Sequence, residues 1–416
     1  MATDADIIIV GGGLAGLCCA RTLHAAGRSF LLLEAADAVG GRVRTDTVDG
    51  FRLDRGFQVL LTAYPEARQV LDYAALDLKP FYPGALVRAG GRFHRVADPW
   101  RRPWGAIRSV TNPVGSVRDK LRVGRLRRRA VRDSLDVLWT RPATSTLDAL
   151  RAAGFSDTII TRFFRPFLGG VFLDPDLQTS SRMLDFVFRM FASGDIAVPA
   201  HGMGAIPLQL VAPLPPDAIR RAAPVRSVEP GLVVLQSGEV IPARKIVVAT
   251  AGPLATQVLG RPLPDTWRSV TCVYFAAPQP PTTEAVLVLN GEGQGLINNL
   301  TVISAVAPSY APAGSSLVSV TVLGHSALPE AQLQDDLRRE LVDWYGTSVA
   351  EWRHLRTYRI AEALPAYGEP GTLPGGDYVD QGNGIYLCGD AWATPSIHGA
   401  MVSGRRVAEA ILAPSP

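Results

Sequence analysis

The sequence predicts an α/β protein of two domains, one of them built on a Rossmann-like parallel sheet. Three observations predict it. The chain opens with an apolar run that ends in glycines, "IIIVGGGLAG" at 7–16. Comparable runs return in the middle, "KIVVATAGP" at 245–253, and near the end, "GIYLCGDAW" at 384–392. The length of 416 residues exceeds the roughly 250–300 at which single cores usually divide. Short continuous apolar runs suit parallel strands buried on both faces.

The first element is the strand Ile7–Val10. Gly11, Gly13 and Gly16 follow it with the spacing G-x-G-x-x-G. Leu17, Cys18, Ala20, Leu23 and His24 continue at helical spacing, and Gly27 stops the helix. Residues 29–33, "SFLLL", form a second strand that ends at Glu34. This is a complete β-turn-α-β unit. In such a unit the first glycine permits the tight turn, the second lets the backbone approach a pyrophosphate, and the third allows close helix–strand packing. The helix N-terminus offers free N–H groups to that pyrophosphate. Glu34 is placed to accept hydrogen bonds from a ribose diol. A purely structural glycine turn would leave this acid unexplained, so the unit reads as Rossmann-like and dinucleotide-binding.

Composition narrows the class. Hydrophobic residues make up 47% and charged residues 19%, as in a globular protein with a large core. No apolar run reaches the ~18 residues of a membrane span, and no basic leader precedes the first strand. Cys18, Cys19, Cys272 and Cys388 form neither a C-x-x-C pair nor a metal-ligand spacing. The expectation is therefore a cytoplasmic protein with reduced thiols and no metal. The net charge of +4 is uneven: Arg101 to Arg132 carries eleven basic residues and one acid, Asp119.

After Glu34 comes Gly40-Gly41-Arg42-Val43-Arg44-Thr45. The set "VGGGLAGL", "LLLEA" and "VGGRVRT" resembles the FAD-binding start of the flavin amine oxidase superfamily. That group includes monoamine oxidases, protoporphyrinogen oxidases and phytoene-type carotenoid desaturases. The resemblance implies FAD, with Gly40, Gly41 and Arg42 along its pyrophosphate. The arginine that usually stands two residues after the acid is here Ala36. "GIYLCGDAWATPSIHGAMVSGRRVAEAIL" at 384–412 is similar to the family's C-terminal flavin motif. It implies Gly389 and Asp390 near the ribityl chain or pyrophosphate. It also implies a helix start at Ser396 and Ile397 aimed at the flavin pyrimidine. The meander "APVRSVEPGLVVLQSGEVIPARKIVVATAGP" (223–253) matches the element that contacts adenine, through Val225. "DRGFQVLLTAYPEA" (54–67) is similar to the loop nearest the isoalloxazine, and points to Gly56, Phe57 and Gln58. The implied organisation is an FAD-binding domain of residues 1–75, 200–260 and 361–416. A discontinuous α+β substrate domain of 76–199 and 261–360, made of helices and a mixed sheet, is inserted in this doubly wound domain, its first piece largely helical. No cysteine stands where monoamine oxidases attach their flavin, which implies non-covalent FAD.

The sequence departs from amine oxidases twice. Their strand over the flavin usually carries a lysine; in "RSVTCVYF" that place falls at Thr271. Their aromatic cage position falls at Ser396 or Ile397, within a "PSIHGA" run closer to the desaturases' Pro-Ser-Ile-Asn-Gly-Ala. A hydrocarbon substrate fits better than a cationic amine. The expected reaction is desaturation of an apolar, isoprenoid or carotenoid-type substrate by hydride transfer to flavin N5. The alternatives are a protoporphyrinogen-type oxidase, then an amine oxidase, or a silent FAD-binding scaffold of a membrane pathway. His398, Gln58 and Arg55 are the candidate catalytic side chains. His398 either takes a proton or caps a helix, and Arg55 either acts at the site or anchors its loop. The Arg101–Arg132 segment reads either as a helix lying apolar side down on an anionic membrane or as a solvated arginine-rich helix. The first reading adds peripheral attachment at the membrane's inner face. Nucleic acid is not an expected partner, since no recognition module accompanies the charge.

Overall fold

The computed structural model describes residues 6–102, 112–260, 266–366 and 380–413. Residues 103–111 of the basic segment lie outside these, as do 1–5, 261–265, 367–379 and 414–416 of the expected domains.

Five short strands form one parallel sheet in the order Ile219–Arg220, Leu31–Leu33, Ile7–Val10, Lys245–Val248, Ile385–Leu387. The three apolar runs of the sequence are thus neighbours, drawn from the start, middle and end of the chain. Alternate residues supply two cores. Ile7, Ile9, Leu32 and Val247 face one, and Ile8, Val10, Leu33 and Val248 face the other. A strand buried on both faces needs no polar alternation, hence the unbroken apolar runs. The helix Leu14–Ala25 covers the first face and packs against the C-terminal helix Ile397–Leu412. The two come so close that a Cβ on Gly404 would meet the Ala15 carbonyl oxygen at 2.0 Å. The expected meander, Val225–Glu229, Leu232–Leu235 and Val240–Pro242, contributes to the second core.

A seven-stranded mixed sheet stands opposite. Its order is Arg353–Pro365, Trp267–Ala277, Ser316–Leu323, Asn299–Val302, Leu287–Asn290, Gly84–Ala89, Arg92–Ala97. The helix Glu330–Tyr345 buries Leu333, Leu337, Leu341 and Trp344 on it, as their spacing requires. Two of these strands amend the expectation of a largely helical first insert. Gly84–Ala89 and Arg92–Ala97 form a hairpin, because Gly90 and Gly91 both take positive φ at a two-residue turn.

The basic helix Val117–Arg132 packs against the helix Ser181–Ser193. Leu126 and Ala130 are buried there, and Leu138 of the next helix is buried too. Leu126 and Ala130 are thus spent on the protein's own core. Val117, Leu121 and Val131 of the same helix stay exposed, so burial accounts for only part of its apolar residues.

Candidate active site

A cavity of about 1090 Å³ runs from the C-terminal ends of the parallel strands to the mixed sheet. Ligands of doubly wound sheets bind outside those strand ends.

The glycine turns build one end of it. Gly11 has φ +108°, and a Cβ there would sit 2.9 Å from the Ala249 carbonyl oxygen. The Gly40 amide donates to the Gly12 carbonyl at 2.8 Å, and a Cβ on Gly41 would touch Gly13 Cα at 3.3 Å. The two glycine loops therefore make one side-chain-free cradle. Gly16 does not line the cavity. A Cβ there would reach the Gly11 carbonyl oxygen at 2.0 Å, so its role is helix–turn packing. Glu34 does line it, with Oε2 accepting from the Gly12 amide at 2.7 Å and Oε1 from the Ala36 amide at 2.8 Å. Val225 lies at the same end, beside Pro224 and Gln236.

Arg42 and Asp390 meet in the cavity wall as an ion pair of 2.5 Å. Arg42 also donates to the Ala363 carbonyl at 3.0 Å and lies over the Trp267 ring, 5.1 Å from its centroid. Gly389, Ser396 and Ile397 line the wall next to them. Ser396 caps its helix by accepting from the Gly399 amide at 3.0 Å.

Gly56, Phe57 and Gln58 come to the cavity together. Gln58 Nε2 donates to the carbonyls of Arg42 (2.9 Å) and Arg55 (3.3 Å), which fixes the amide's orientation. Its Oε1, and the Thr250 hydroxyl across the cavity, have no hydrogen-bond partner among the described residues. Buried polar atoms are normally satisfied, so two orphans lining one cavity fit a polar ligand there. The glycine cradle, the ribose-side acid and these orphans suit FAD.

Arg55 lines the cavity but is held by Asp46 at 3.0 Å, as is the Tyr358 hydroxyl at 2.8 Å. Burial would raise the Asp46 pKa, yet the hydrogen bonds from Arg55 and Tyr358 outweigh it and keep the carboxyl ionised. Arg55 thus serves as a loop anchor in this structure.

His398 is not brought to the cavity. Its ring stacks on Tyr64 at 5.5 Å and Phe186 at 5.8 Å, and those two residues form the wall in front of it. Burial lowers its pKa to about 4; Glu66 opposes this shift and Arg405 reinforces it. It is a neutral ring behind the wall, so the structure does not bring it to the cavity as the catalytic reading expects. The reason is helical rotation. Ile397 faces the cavity, so the next residue points about 100° away. Thr271 does not face the cavity either. It is fully buried and donates to the Gly324 carbonyl at 3.0 Å, while Val270 lines the wall.

The inner end of the cavity is apolar. Phe57, Phe81, Phe167, Phe172, Phe186 and Phe191 line it, with Met183 and Val187. Its polar spot is Asn299 and Thr321, joined at 3.3 Å across adjacent strands. Sequence reasoning missed this pair, and also the Arg356, Tyr358 and Arg359 set at another edge. The alternation of "RTYR" at 356–359 is a strand signal that could have found the latter.

The profile of flavin-containing amine oxidoreductases matches residues 14–412. The chain belongs to that family. Membership bears out the resemblance and makes it an FAD-dependent oxidoreductase by family. It is 45% identical to the putrescine oxidase of Kocuria rosea over 76 residues, 18% of this chain and 16% of that protein. It is 27% identical to the coproporphyrinogen III oxidase of Propionibacterium freudenreichii subsp. freudenreichii over 180 residues, 41% of this chain and 32% of that protein. The chain thus spans a third or less of the length of these two relatives. A solved putrescine oxidase bound to putrescine superposes with a TM-score of 0.75, covering 99% of both chains at 18% identity. That likeness speaks to the fold. Among the described residues, no helix is long and apolar enough to cross a membrane.

Proposed function

We propose that this flavoprotein dehydrogenates an apolar, isoprenoid-type substrate held in the aromatic end of the cavity. The observation that carries the reading is the charge-free inner wall of six phenylalanines, Met183 and Val187. None of the three lysines lines the cavity: Lys79 pairs with Asp77, Lys245 donates to the Ile411 carbonyl, and Lys120 lies on the basic helix. Of the carboxylates that line the cavity, Glu34, Asp46 and Asp390 are engaged by protein groups, and Glu362 stands exposed on the edge strand Arg353–Pro365, away from the phenylalanines in sequence and sheet. A diamine would find no free counter-charge at the inner end.

FAD, when bound, supplies the two-electron acceptor. The chain's own work is positional. The glycine cradle and Glu34 hold the dinucleotide, Arg42 and Asp390 fix the wall between the two ends, and the phenylalanines exclude water around the bond to be oxidised. All four cysteines are buried and none lines the cavity, which supports a non-covalently held cofactor.

A specific observation favours a second reading. The coproporphyrinogen oxidase similarity, with Arg356 and Arg359 lining the cavity beside their partners Asp46 and Glu330, suits a flat porphyrinogen whose carboxylates would compete for those guanidinium groups. Anaerobic mixing separates the two. A polyene in detergent should bleach the ~450 nm flavin band, whereas amines should not. Bleaching by coproporphyrinogen alone would select the second reading, and bleaching by putrescine would sink both.

A further inference from the structure

We propose that the outward face of the helix Val117–Arg132, with its neighbours Trp100 and Val137, docks on an anionic phospholipid surface. Although the buried stripe of this helix is spent on the core, its other side is not polar. Nine large apolar side chains stand exposed among the described residues, and five of them lie in this patch: Trp100, Val117, Leu121, Val131 and Val137. Leu121 is 64% exposed and Trp100 is 49% exposed. Trp100 packs over Gly124, and the Arg127 guanidinium lies 4.9 Å from its ring centroid.

Cations surround these side chains. At about 100° per residue, Val117, Arg118, Leu121, Arg125, Arg128 and Arg132 fall within an arc of about 100°. All six are exposed. Among the described residues, Arg118, Arg125 and Arg128 have no acidic partner. A groove of about 270 Å³ opens beside this face, rimmed by Arg122, Arg125 and Arg129 over a floor that includes Leu126 and Leu150. Arg122 is paired with Asp119 and Arg129 with Asp185, which leaves Arg125 free to meet a phosphodiester.

The mixture selects the occupant. A nucleic acid or acidic peptide would be served by the arginines alone. Exposed Leu121, Val117 and Trp100 among them match the interface of a bilayer, where a tryptophan sits at headgroup level and aliphatic side chains enter the acyl boundary. The position also suits an apolar ligand. The helix Ser181–Ser193, beneath this face, lines the cavity with Met183, Phe186 and Val187. One helix thickness therefore separates the docking face from the aromatic end. The inference rests on the surface and stands independently of the substrate reading.

The test is co-sedimentation of the holoprotein with vesicles of phosphatidylcholine, with and without about 30% phosphatidylglycerol. Wild type should partition onto the anionic vesicles at ~50 mM salt and lose most of that binding at ~500 mM. Each basic residue at such a surface is worth about fivefold, so Arg118→Gln/Arg125→Gln/Arg128→Gln should weaken partition on the order of 100-fold. Leu121→Ser should weaken it severalfold in a salt-independent way. Flavin content and melting temperature serve as folding controls. Equal binding to neutral vesicles, no binding at low salt, or full binding by the triple variant would overturn the proposal. So would retention on an oligonucleotide with none on vesicles.

Discussion

Glu34 is the point where the nucleotide site can be tested without any substrate. Its two carboxylate oxygens accept separate backbone amides, Gly12 at 2.7 Å and Ala36 at 2.8 Å, in a buried setting. The side chain thereby clips the glycine turn to the end of the second strand. Glu34→Gln is nearly isosteric but offers one acceptor, and its NH2 must confront the other amide N–H. A hydrogen bond to a charged group is worth about 1.5–3 kcal/mol, and an unpaired buried donor costs a comparable amount. The apoprotein should lose about 2–3 kcal/mol of unfolding free energy, and the variant should purify with little FAD. Urea denaturation of the FAD-stripped protein reads the first effect as a shifted midpoint at unchanged slope. An apoprotein within about 0.5 kcal/mol of wild type, the range of ordinary surface changes, would refute the clip.

Gly16→Ala should strip the flavin, since the new Cβ would lie 2.0 Å from the Gly11 carbonyl oxygen and push helix from turn; overpacking of this kind costs about 1–3 kcal/mol, and normal flavin content would contradict it. Asp119 caps the basic helix. Burial acts to raise its pKa, but hydrogen bonds from Ser116 and Ser156 outweigh this and hold it at about 2. Its stabilisation is present above the unfolded value of 3.8 and lost as pH falls towards 2. Asp119→Asn should therefore flatten the fall in urea midpoint across that window, and parallel wild-type and variant profiles would count against it. Burial pushes the Cys18 thiol up to about 12 and Cys272 up to about 11, and it raises Cys19 and Cys388 as well. A thiol reagent should label none of the four in the native protein and all four in denaturant; rapid native labelling would show that the core opens. Arg42→Ala removes the Asp390 pair and the cover on Trp267. It should reduce the rise in melting temperature on adding FAD, which wild type gains by mass action; an unchanged rise would remove Arg42 from the cofactor wall.

The nucleotide half of the fold was legible because its signals are local. The glycine spacing, the apolar runs and Glu34 each specify backbone geometry within a few residues. What failed needed knowledge of a neighbour. The edge strand Arg353–Pro365 carries charged residues along its length, as edges do, and has no apolar run to betray it. Asn299 and Thr321 become a pair only through sheet register, 22 residues apart. His398 falls outside the cavity lining because a motif run names residues in order, while a helix distributes them around an axis. Leu126 and Leu138 were apolar at the expected spacing, but spacing cannot say whether protein or lipid covers them.

The Arg42–Asp390 pair shows why the site and the fold are one problem. Arg42 comes from the loop after the second strand, and Asp390 from the turn that follows the last strand of the same sheet. Trp267, beneath the guanidinium, begins a strand of the opposite sheet, and Ala363 belongs to the edge strand beside it. Four segments far apart in sequence are thus held at the boundary between the dinucleotide end and the apolar end. The guanidinium is about one-third exposed, so its Coulomb attraction to Asp390 is partly screened and adds little stability by itself. Its value lies in geometry. A planar fork fixed by a carboxylate, a carbonyl and an indole face has few orientations left, so the wall that a flavin would meet is set before any ligand arrives.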